Sequence, residues 1–345
     1  MKFKTRLTWL RYITLLRLWN LLQLRASFML STLLKKNIVW GSPFAISIEP
    51  TTSCNLGCPE CPSGLKQFSR PTGKLSLENN ALILAALKGR LQHINYYFQG
   101  EPFIHGQFLA LVQEAKKHHI YVSTSTNAHF IDAEMADKIV LSGLDQLIIS
   151  IDGTTQETYE QYRVHGKLSK VLEASRLLVA AKKKYRKGPL LVFQFLVVAP
   201  NEHQINDVLA MATEMHIDEV RFKTAQLYDF ENGNSLLPNQ EKYSRYIKGK
   251  DGKYKLKYTL KNKCWRMWSS CVFTWDLRVV PCCFDKDASH VLGNLGVSET
   301  TPNHQFNAIW KGSKYNAFRK QLLNNRETIA ICKNCSEGSK VLVER

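Results

Sequence analysis

The first 48 residues contain no aspartate or glutamate, although they hold eight lysines and arginines. A membrane-length apolar run is missing as well. Within the apolar N-terminal stretch the longest uncharged run, Ala26 to Leu34, has nine residues, far short of the roughly 20 a spanning helix needs. There is no signal-peptide cleavage site, and the nine cysteines are odd in number and clustered. Both features point away from a disulfide scaffold and towards a reducing cytoplasm. Nor does the first cysteine cluster contain two C-x2-C halves, the usual mark of structural zinc.

What is present is an ordinary globular composition, 44% hydrophobic and 22% charged over 345 residues. That length suits one large domain plus a small one. The net charge of +18 is local. Residues 182–187 hold five basic groups, and residues 248–263 hold seven lysines against Asp251. Outside these stretches and the first 48 residues there are 27 basic and 28 acidic residues, so the body is neutral. The 182–187 run is expected to close a helix, where basic groups favour the negative dipole end. Lys253 to Lys261 alternates with period two after Asp251-Gly252, a hairpin signal. A lysine-and-aromatic strand can bind nucleic acid, but an edge strand defended by lysine explains it more simply.

Residues 1–36 read as a basic, apolar helix. Arg6 and Arg17, and likewise Arg11 and Arg25, lie close to whole turns apart, so each pair falls nearly on one line. Two roles stay open: lying on an anionic membrane with Trp and Leu in the interface, or packing on the body as a lid with a solvated basic face.

From Phe44 short apolar strands alternate with helical stretches, the pattern of repeated β–α units and a parallel sheet. Strands are expected at 44–49, 93–98, 120–125, 146–151, 190–198 and 219–224, and helices at 77–88, 107–118, 132–142, 168–184, 203–215 and 239–247. The expected class is α/β, a partial (β/α)6 TIM-like barrel over 44–230. An N-terminal basic helical extension (1–43) precedes it. A lysine-rich linker (231–263) and a small C-terminal cysteine-rich iron–sulfur domain (264–345) follow. Ligands of such sheets sit at the carboxyl ends of the strands.

After the first strand come Cys54, Cys58 and Cys61, spaced C-x3-C-x2-C. Three thiolates on one loop can hold three irons of a [4Fe–4S] cube and leave the fourth open to a substrate or cofactor. Gly57, Pro59 and Pro62 let the backbone curl around them. The spacing and its place resemble the radical S-adenosylmethionine (radical SAM) enzymes. That resemblance implies SAM chelated at the open iron and cleaved by one electron to methionine and a 5′-deoxyadenosyl radical, which takes hydrogen from a substrate. Gln99-Gly100-Glu101-Pro102 after the second strand matches the family's GGEP motif, with Gln99 in place of its first glycine. The resemblance assigns Gly100, Glu101 and Pro102 to the SAM amino group. Ser123, Ser150 and Asp152 at strand ends, Arg163 beyond them and Gln194 on the fifth strand match its ribose and carboxylate contacts. From the residues alone, Asp152-Gly153 also reads as a turn and Thr154 or Thr155 as a helix cap. Many relatives have an aromatic residue beside the adenine where this chain has Glu60, so the stacking surface must come from elsewhere.

Six cysteines follow from Cys264 onward, ending in Cys332-x2-Cys335. A centre tying Cys264, Cys282, Cys332 and Cys335 would stabilise a tail of about 80 residues, which has a marginal core of its own. Four ligands suit one [4Fe–4S] cluster or one zinc; two fully cysteine-ligated clusters would need eight. Cys271 and Cys283 are then spare or alternate. The region resembles the SPASM/twitch domain through Cys264, Val280-Pro281-Cys282-Cys283, Leu292-Gly293-Asn294, Ile309-Trp310 and the final pair. Leu277 stands where that pattern has glycine.

The expected function is therefore a radical SAM oxidoreductase or maturase with one auxiliary cluster, taking electrons from a reductant such as flavodoxin or ferredoxin. Forty-three residues are too few for the leader-binding domain many peptide-modifying relatives carry. This turns the expectation towards a small molecule, a protein without a leader, or a lipid-linked substrate. A nucleic-acid-modifying enzyme and a non-catalytic iron–sulfur or zinc protein are the alternatives.

Overall fold

The structure, a computed structural model, describes residues 10–296, 300–335 and 337. Lys2, Lys4, Arg6 and Trp9 of the expected N-terminal helix lie outside the described residues. The chain divides into two compact units.

The first unit comprises Met1–Ser53, Phe68–Thr124 and Leu260–Lys333. Its first helix, α1 (Leu15–Leu34), starts at Thr14, whose hydroxyl accepts from Arg17 N, and stops at Lys35 in the left-handed region. Strand β1 (Ala45–Ile48) pairs in parallel with β2 (His93–Asn95). The short helix α2 (Pro62–Leu65) belongs to the second unit. Helix α3 (Leu77–Ala86), capped by Ser76, leads to β2, and α4 (Phe108–Lys117) leads to β3 (Tyr121–Thr126). Strands β2 and β3 are parallel.

The second unit comprises Cys54–Gln67, Ser125–Thr259 and Asn334–Arg345. Helix α5 (Ala133–Leu141) is capped by Asp132 and precedes β4 (Gln146–Ser150). Helix α6 (Gln156–Tyr162) is capped by Thr155, as its hydroxyl suggested. Helix α7 (Leu168–Tyr185) leads to β5 (Leu190–Val197), and α8 (Ile205–Glu214) to β6 (Glu219–Thr224). Strands β4, β5 and β6 are parallel neighbours. At the end of α7, Lys182 pairs with Asp218 and Lys184 with Asp137, so part of the 182–187 charge is neutralised within the unit.

Two expectations for residues 239–263 part ways. The helix expected at 239–247 is instead a single 3-10 turn, Glu241–Tyr243, followed by strand β7 (Tyr246–Lys248). Strand β7 pairs antiparallel with β8 (Tyr254–Leu256), the hairpin that Asp251-Gly252 signalled. Tertiary contacts override local propensity here: Tyr246 is buried, stacks on Phe230 and accepts from Leu227 N through its hydroxyl. Extended backbone is what places that ring inward.

The C-terminal cysteine region contributes strands to the first unit. After α9 (Arg266–Ser269), β9 (Ser270–Phe273) lies parallel to β1, placing Cys271 opposite Ile46. Strand β10 (Arg278–Val280) runs antiparallel to β9, and β11 (Gly293–Asn294) antiparallel to β10. Leu277, in the turn before β10, has φ +67°. That left-handed conformation disfavours a side chain, which is a physical reason for glycine at this place in the SPASM pattern. Helices α10 (Pro302–Trp310), α11 (Ser313–Asn325) and α12 (Ala330–Lys333) complete the region.

Candidate metal centre

In the second unit Leu56, Cys58, Tyr162, Val198, Leu227 and Tyr246 share one apolar cluster, and Cys54 and Cys61 pack against it. No disulfide joins any of the three cysteines. Gly57 N donates to Val164 O at 2.9 Å, and Cys61 N to Cys58 O at 3.3 Å. These bonds hold the loop curled. Helix α2 sits so close that a Cβ on Gly64 would come 2.6 Å from Cys58 N.

Two donors lie beside the sulfurs. Arg163 Nη1 is 3.7 Å from Cys58 Sγ, and Asn127 Nδ2 is 3.9 Å from Cys54 Sγ. Arg163 Nε donates to Asp152 Oδ2 at 2.6 Å, and Asp152 Oδ1 accepts from Leu196 N at 2.6 Å. Asp152 is fully buried. Burial works against the charged guanidinium, but Asp152 and Cys58 outweigh it and hold Arg163 well above its ordinary range. Burial pushes the Cys58 thiol up, and Arg163 partly offsets this. A metal that displaces the thiol proton removes that penalty.

The expected SAM contacts are distributed as follows. Ser150 is buried on β4, opposite half-buried Gln194 on β5. Asp152 and Arg163 form the pair just described. In the first unit Gly100 has φ +75°, and a Cβ there would lie 2.2 Å from Thr51 O. Glu101 N donates to Ser53 O at 2.8 Å. Glu101 Oε1 accepts from Phe103 N at 3.2 Å, capping the turn that begins at Pro102. The Gly-Glu-Pro turn therefore packs on the backbone that leads into the cysteine loop. Ser123 Oγ donates to Asn95 Oδ1 at 3.1 Å and lies 2.8 Å from His93 Nε2. Tyr96 points the opposite way, to Asn80 of α3. His93, Asn95 and Ser123 thus share the strand face turned from that helix. Burial pushes His93 down to about 4, so its ring is neutral at physiological pH.

Sequence reasoning missed four of these residues. Asn127 was read only as part of a strand end. His93 and Asn95 stand two apart on β2, a spacing that the period-two alternation of a strand places on one face. Tyr228 had no sequence signal at all: its backbone N donates to Glu60 Oε2 at 2.9 Å, and it is 55% exposed.

Of the second set, Cys264 precedes α9, Cys282 follows β10 and Cys332 lies in α12, all in the first unit. Cys335 belongs to the second unit, where its sulfur accepts from Glu337 N at 3.3 Å. Cys271 is buried on β9, and burial pushes its thiol far up, as for a core side chain. Cys283 lies 3.8 Å from Arg266 Nη1 and packs against Phe98, Val272, Val280 and Ala288.

Among the described residues, no three Cys, His, Asp or Glu groups converge to hold a single metal ion. A cubane makes a different demand, because each thiolate binds a different iron. Three cysteine thiols on one loop, with a guanidinium and an amide beside their sulfurs, fit that demand: donors of this kind stabilise ligating sulfur and tune the cluster.

Comparison with known proteins agrees. The model for the radical SAM superfamily matches residues 48–212, and that for SPASM, an iron–sulfur cluster-binding domain, matches residues 264–336. The chain is 31% identical over 173 residues to the mycofactocin maturase MftC of Mycobacterium ulcerans (strain Agy99). That match covers 50% of this chain and 44% of the relative, so the chain spans less than half of that protein's length. Streptococcus suis SuiB bound to its precursor peptide SuiA has a similar fold, with a TM-score of 0.60 at 12% identity over 87% of this chain and 72% of SuiB. BtrN in complex with AdoMet and 2-DOIA gives a TM-score of 0.53 at 19% identity over 87% and 95% of the two chains. These likenesses establish the fold, a partial TIM-like barrel of mixed α/β class. With the cysteine loop and both family models in place, the chain belongs to the radical SAM superfamily and carries a C-terminal SPASM domain, and with them the family's use of SAM and [4Fe–4S] clusters.

Proposed function

We propose that the chain is a radical SAM oxidoreductase of maturase type. When bound, the SAM-ligated [4Fe–4S] cluster supplies the electron that cleaves SAM and so generates the radical that takes hydrogen from the substrate. Cys54, Cys58 and Cys61 hold that cluster. Asp152 fixes Arg163 through Nε, which leaves the guanidinium fork to face the Cys58 sulfur and the SAM carboxylate together. Glu101 takes the amino group, while Ser123, Ser150 and Gln194 serve the ribose. Tyr228, fastened by its backbone to Glu60, supplies the aromatic surface for adenine that Glu60 cannot. Cys264, Cys282, Cys332 and Cys335 would hold one auxiliary [4Fe–4S] cluster, which would supply an acceptor for the second electron of a net oxidation.

The maturase relative supports a peptide or protein substrate, and the likeness in fold to BtrN with AdoMet and 2-DOIA keeps a small molecule as the second reading. Flavodoxin or ferredoxin serves as reductant. Peripheral contact of residues 1–36 with an anionic membrane belongs to this reading and is supported by their charge.

The single observation that carries the enzyme reading is the thiol loop with Arg163 and Asn127 at its sulfurs. Anaerobic reconstitution with iron and sulfide, followed by an assay for 5′-deoxyadenosine from SAM under reduction, tests it. Formation of 5′-deoxyadenosine is expected. Iron-loaded protein that forms none contradicts the enzyme.

A further inference from the structure

We propose that the outward face of α1 is a membrane-binding surface, with anionic phospholipid headgroups at its rim and the acyl-chain boundary along its centre. This deepens the reading of residues 1–36 as a peripheral contact and rests on it.

The helix is packed inside out. Its buried residues are Arg17, Asn20, Leu24, Ser27 and Ser31, four of them polar. On the other side Leu15, Trp19, Leu22, Met29 and Leu33 are exposed. Leu15 is 88% and Leu33 78% exposed, against 4% for Arg17 and 0% for Ser27. At 100° per residue these five apolar side chains form one line, about 27 Å long at 1.5 Å of rise per residue. An ordinary surface helix turns its apolar stripe to the core. A contiguous apolar strip left outside marks an interaction site.

Hydrogen bonds lock this orientation. Arg17 Nη1 donates to Tyr12 O at 2.7 Å and His119 O at 2.6 Å, and its Nη2 to His118 O at 3.1 Å. Asn20 donates to Ser42 O at 2.8 Å and accepts from Ser42 N at 2.9 Å. Ser31 Oγ donates to Ile38 O and accepts from Ile38 N. Turning the leucines inward would leave these buried groups without partners, a cost that opposes rotation. Both roles left open for residues 1–36 turn Arg17 outward, and the same bonds correct this: its charge is used inside.

The apolar positions follow intervals of four, three, seven and four, which also suit a coiled-coil seam with a second copy. Charge decides between the two. Arg11, Arg25, Lys35 and Lys36 are exposed around the strip, and no acid occurs in the first 48 residues. Lys88 is also exposed, on the loop where Leu16 packs against Gly89. A self-paired seam would set these cations against one another with no acid from this segment to offset them; an anionic bilayer satisfies all of them. Exposed Trp19 and Trp40 are residues that favour the interface. No helix among the described residues is long and apolar enough to cross a membrane, so the helix lies in the surface plane.

The test is flotation of the full-length, cluster-reconstituted chain with vesicles of phosphatidylcholine plus phosphatidylglycerol, and with phosphatidylcholine alone, at low and high salt. Binding is expected to the anionic vesicles, to weaken with salt and to be poor without phosphatidylglycerol. Trp19→Glu/Met29→Glu replaces exposed side chains and should lower partitioning more than about tenfold with unchanged iron content and melting temperature. If that variant melts early, Lys35→Glu/Lys36→Glu just beyond the helix provides the same reading. The proposal is overturned if the wild-type chain ignores anionic vesicles or if the folded variants bind as well as wild type. It is equally overturned if the chain is a dimer in solution that the first variant turns into a monomer, since a second copy then covers the face. Flotation needs neither SAM nor an electron, so its failure and the failure of SAM cleavage are separate results.

Discussion

Cys54, Cys58 and Cys61 lie within eight residues, whereas Cys264, Cys282, Cys332 and Cys335 are spread over 72. In the first set the ligands are local and their support is distant: Asn127 and Arg163 come from 73 and 105 residues away to reach the sulfurs. In the second set the ligands themselves are distant, while the donors at sulfurs in this region come from nearby in sequence: Glu337 N at Cys335, two residues on, and Arg266 at Cys283, the neighbour of Cys282, 17 residues away. A compact cysteine loop therefore announces its chemistry in the sequence while concealing what tunes it. A dispersed set conceals even which cysteines belong.

Six substitutions break or sharpen that contrast. The largest effect is expected from Cys58→Ala, which should abolish 5′-deoxyadenosine formation and release iron from the first cluster; retention of SAM cleavage would show that the local set is not the ligand set. Next is Arg163→Gln. It leaves Asp152 buried without its partner, and breaking such a pair destabilises by about 3–5 kcal/mol, readable by denaturant unfolding. The same change removes a positive charge beside Cys58, so the cluster's reduction potential should fall. An unchanged potential would make Arg163 a purely structural residue.

For the dispersed set, Cys282→Ser and Cys283→Ser should differ. Loss of roughly four of about eight irons per chain is expected for Cys282→Ser, with little change for Cys283→Ser. The reverse would assign the ligand to the cysteine that Arg266 faces. Cys335→Ala should destabilise the tail yet spare uncoupled SAM cleavage. The smallest effect is expected from Tyr228→Ala. Stacking of a base on an aromatic ring contributes about 1–3 kcal/mol, so SAM affinity should weaken by a factor of roughly 5 to 150. Unchanged affinity would move the adenine surface elsewhere.

The strands of the barrel were legible because short apolar runs bounded by turn residues can hardly be anything else: Gln146–Ser150 and Glu219–Thr224 fall within the expected limits. The capping of α6 by Thr155 was equally local. Residues 239–247 were not legible, because extended backbone there depends on Tyr246 meeting Phe230 and Leu227. The facing of α1 was hidden for a related reason. Its apolar stripe reads as a core stripe until the carbonyls of His118 and His119, a hundred residues on, claim Arg17. At the metal centre the ligands were visible as a spacing. Asp152 was picked out for SAM, while its hold on Arg163 and Leu196 N required the fold. Tyr228 beside Glu60 has no counterpart in any local pattern.

The most direct test of the central claim, an open iron at the Cys54–Cys58–Cys61 loop that takes SAM, is electron paramagnetic resonance of the reduced, reconstituted chain with and without SAM. A signal from the first cluster that shifts on adding SAM, and is absent in Cys58→Ala, is expected. A spectrum indifferent to SAM, or a chain that retains only zinc under anaerobic purification, would contradict it.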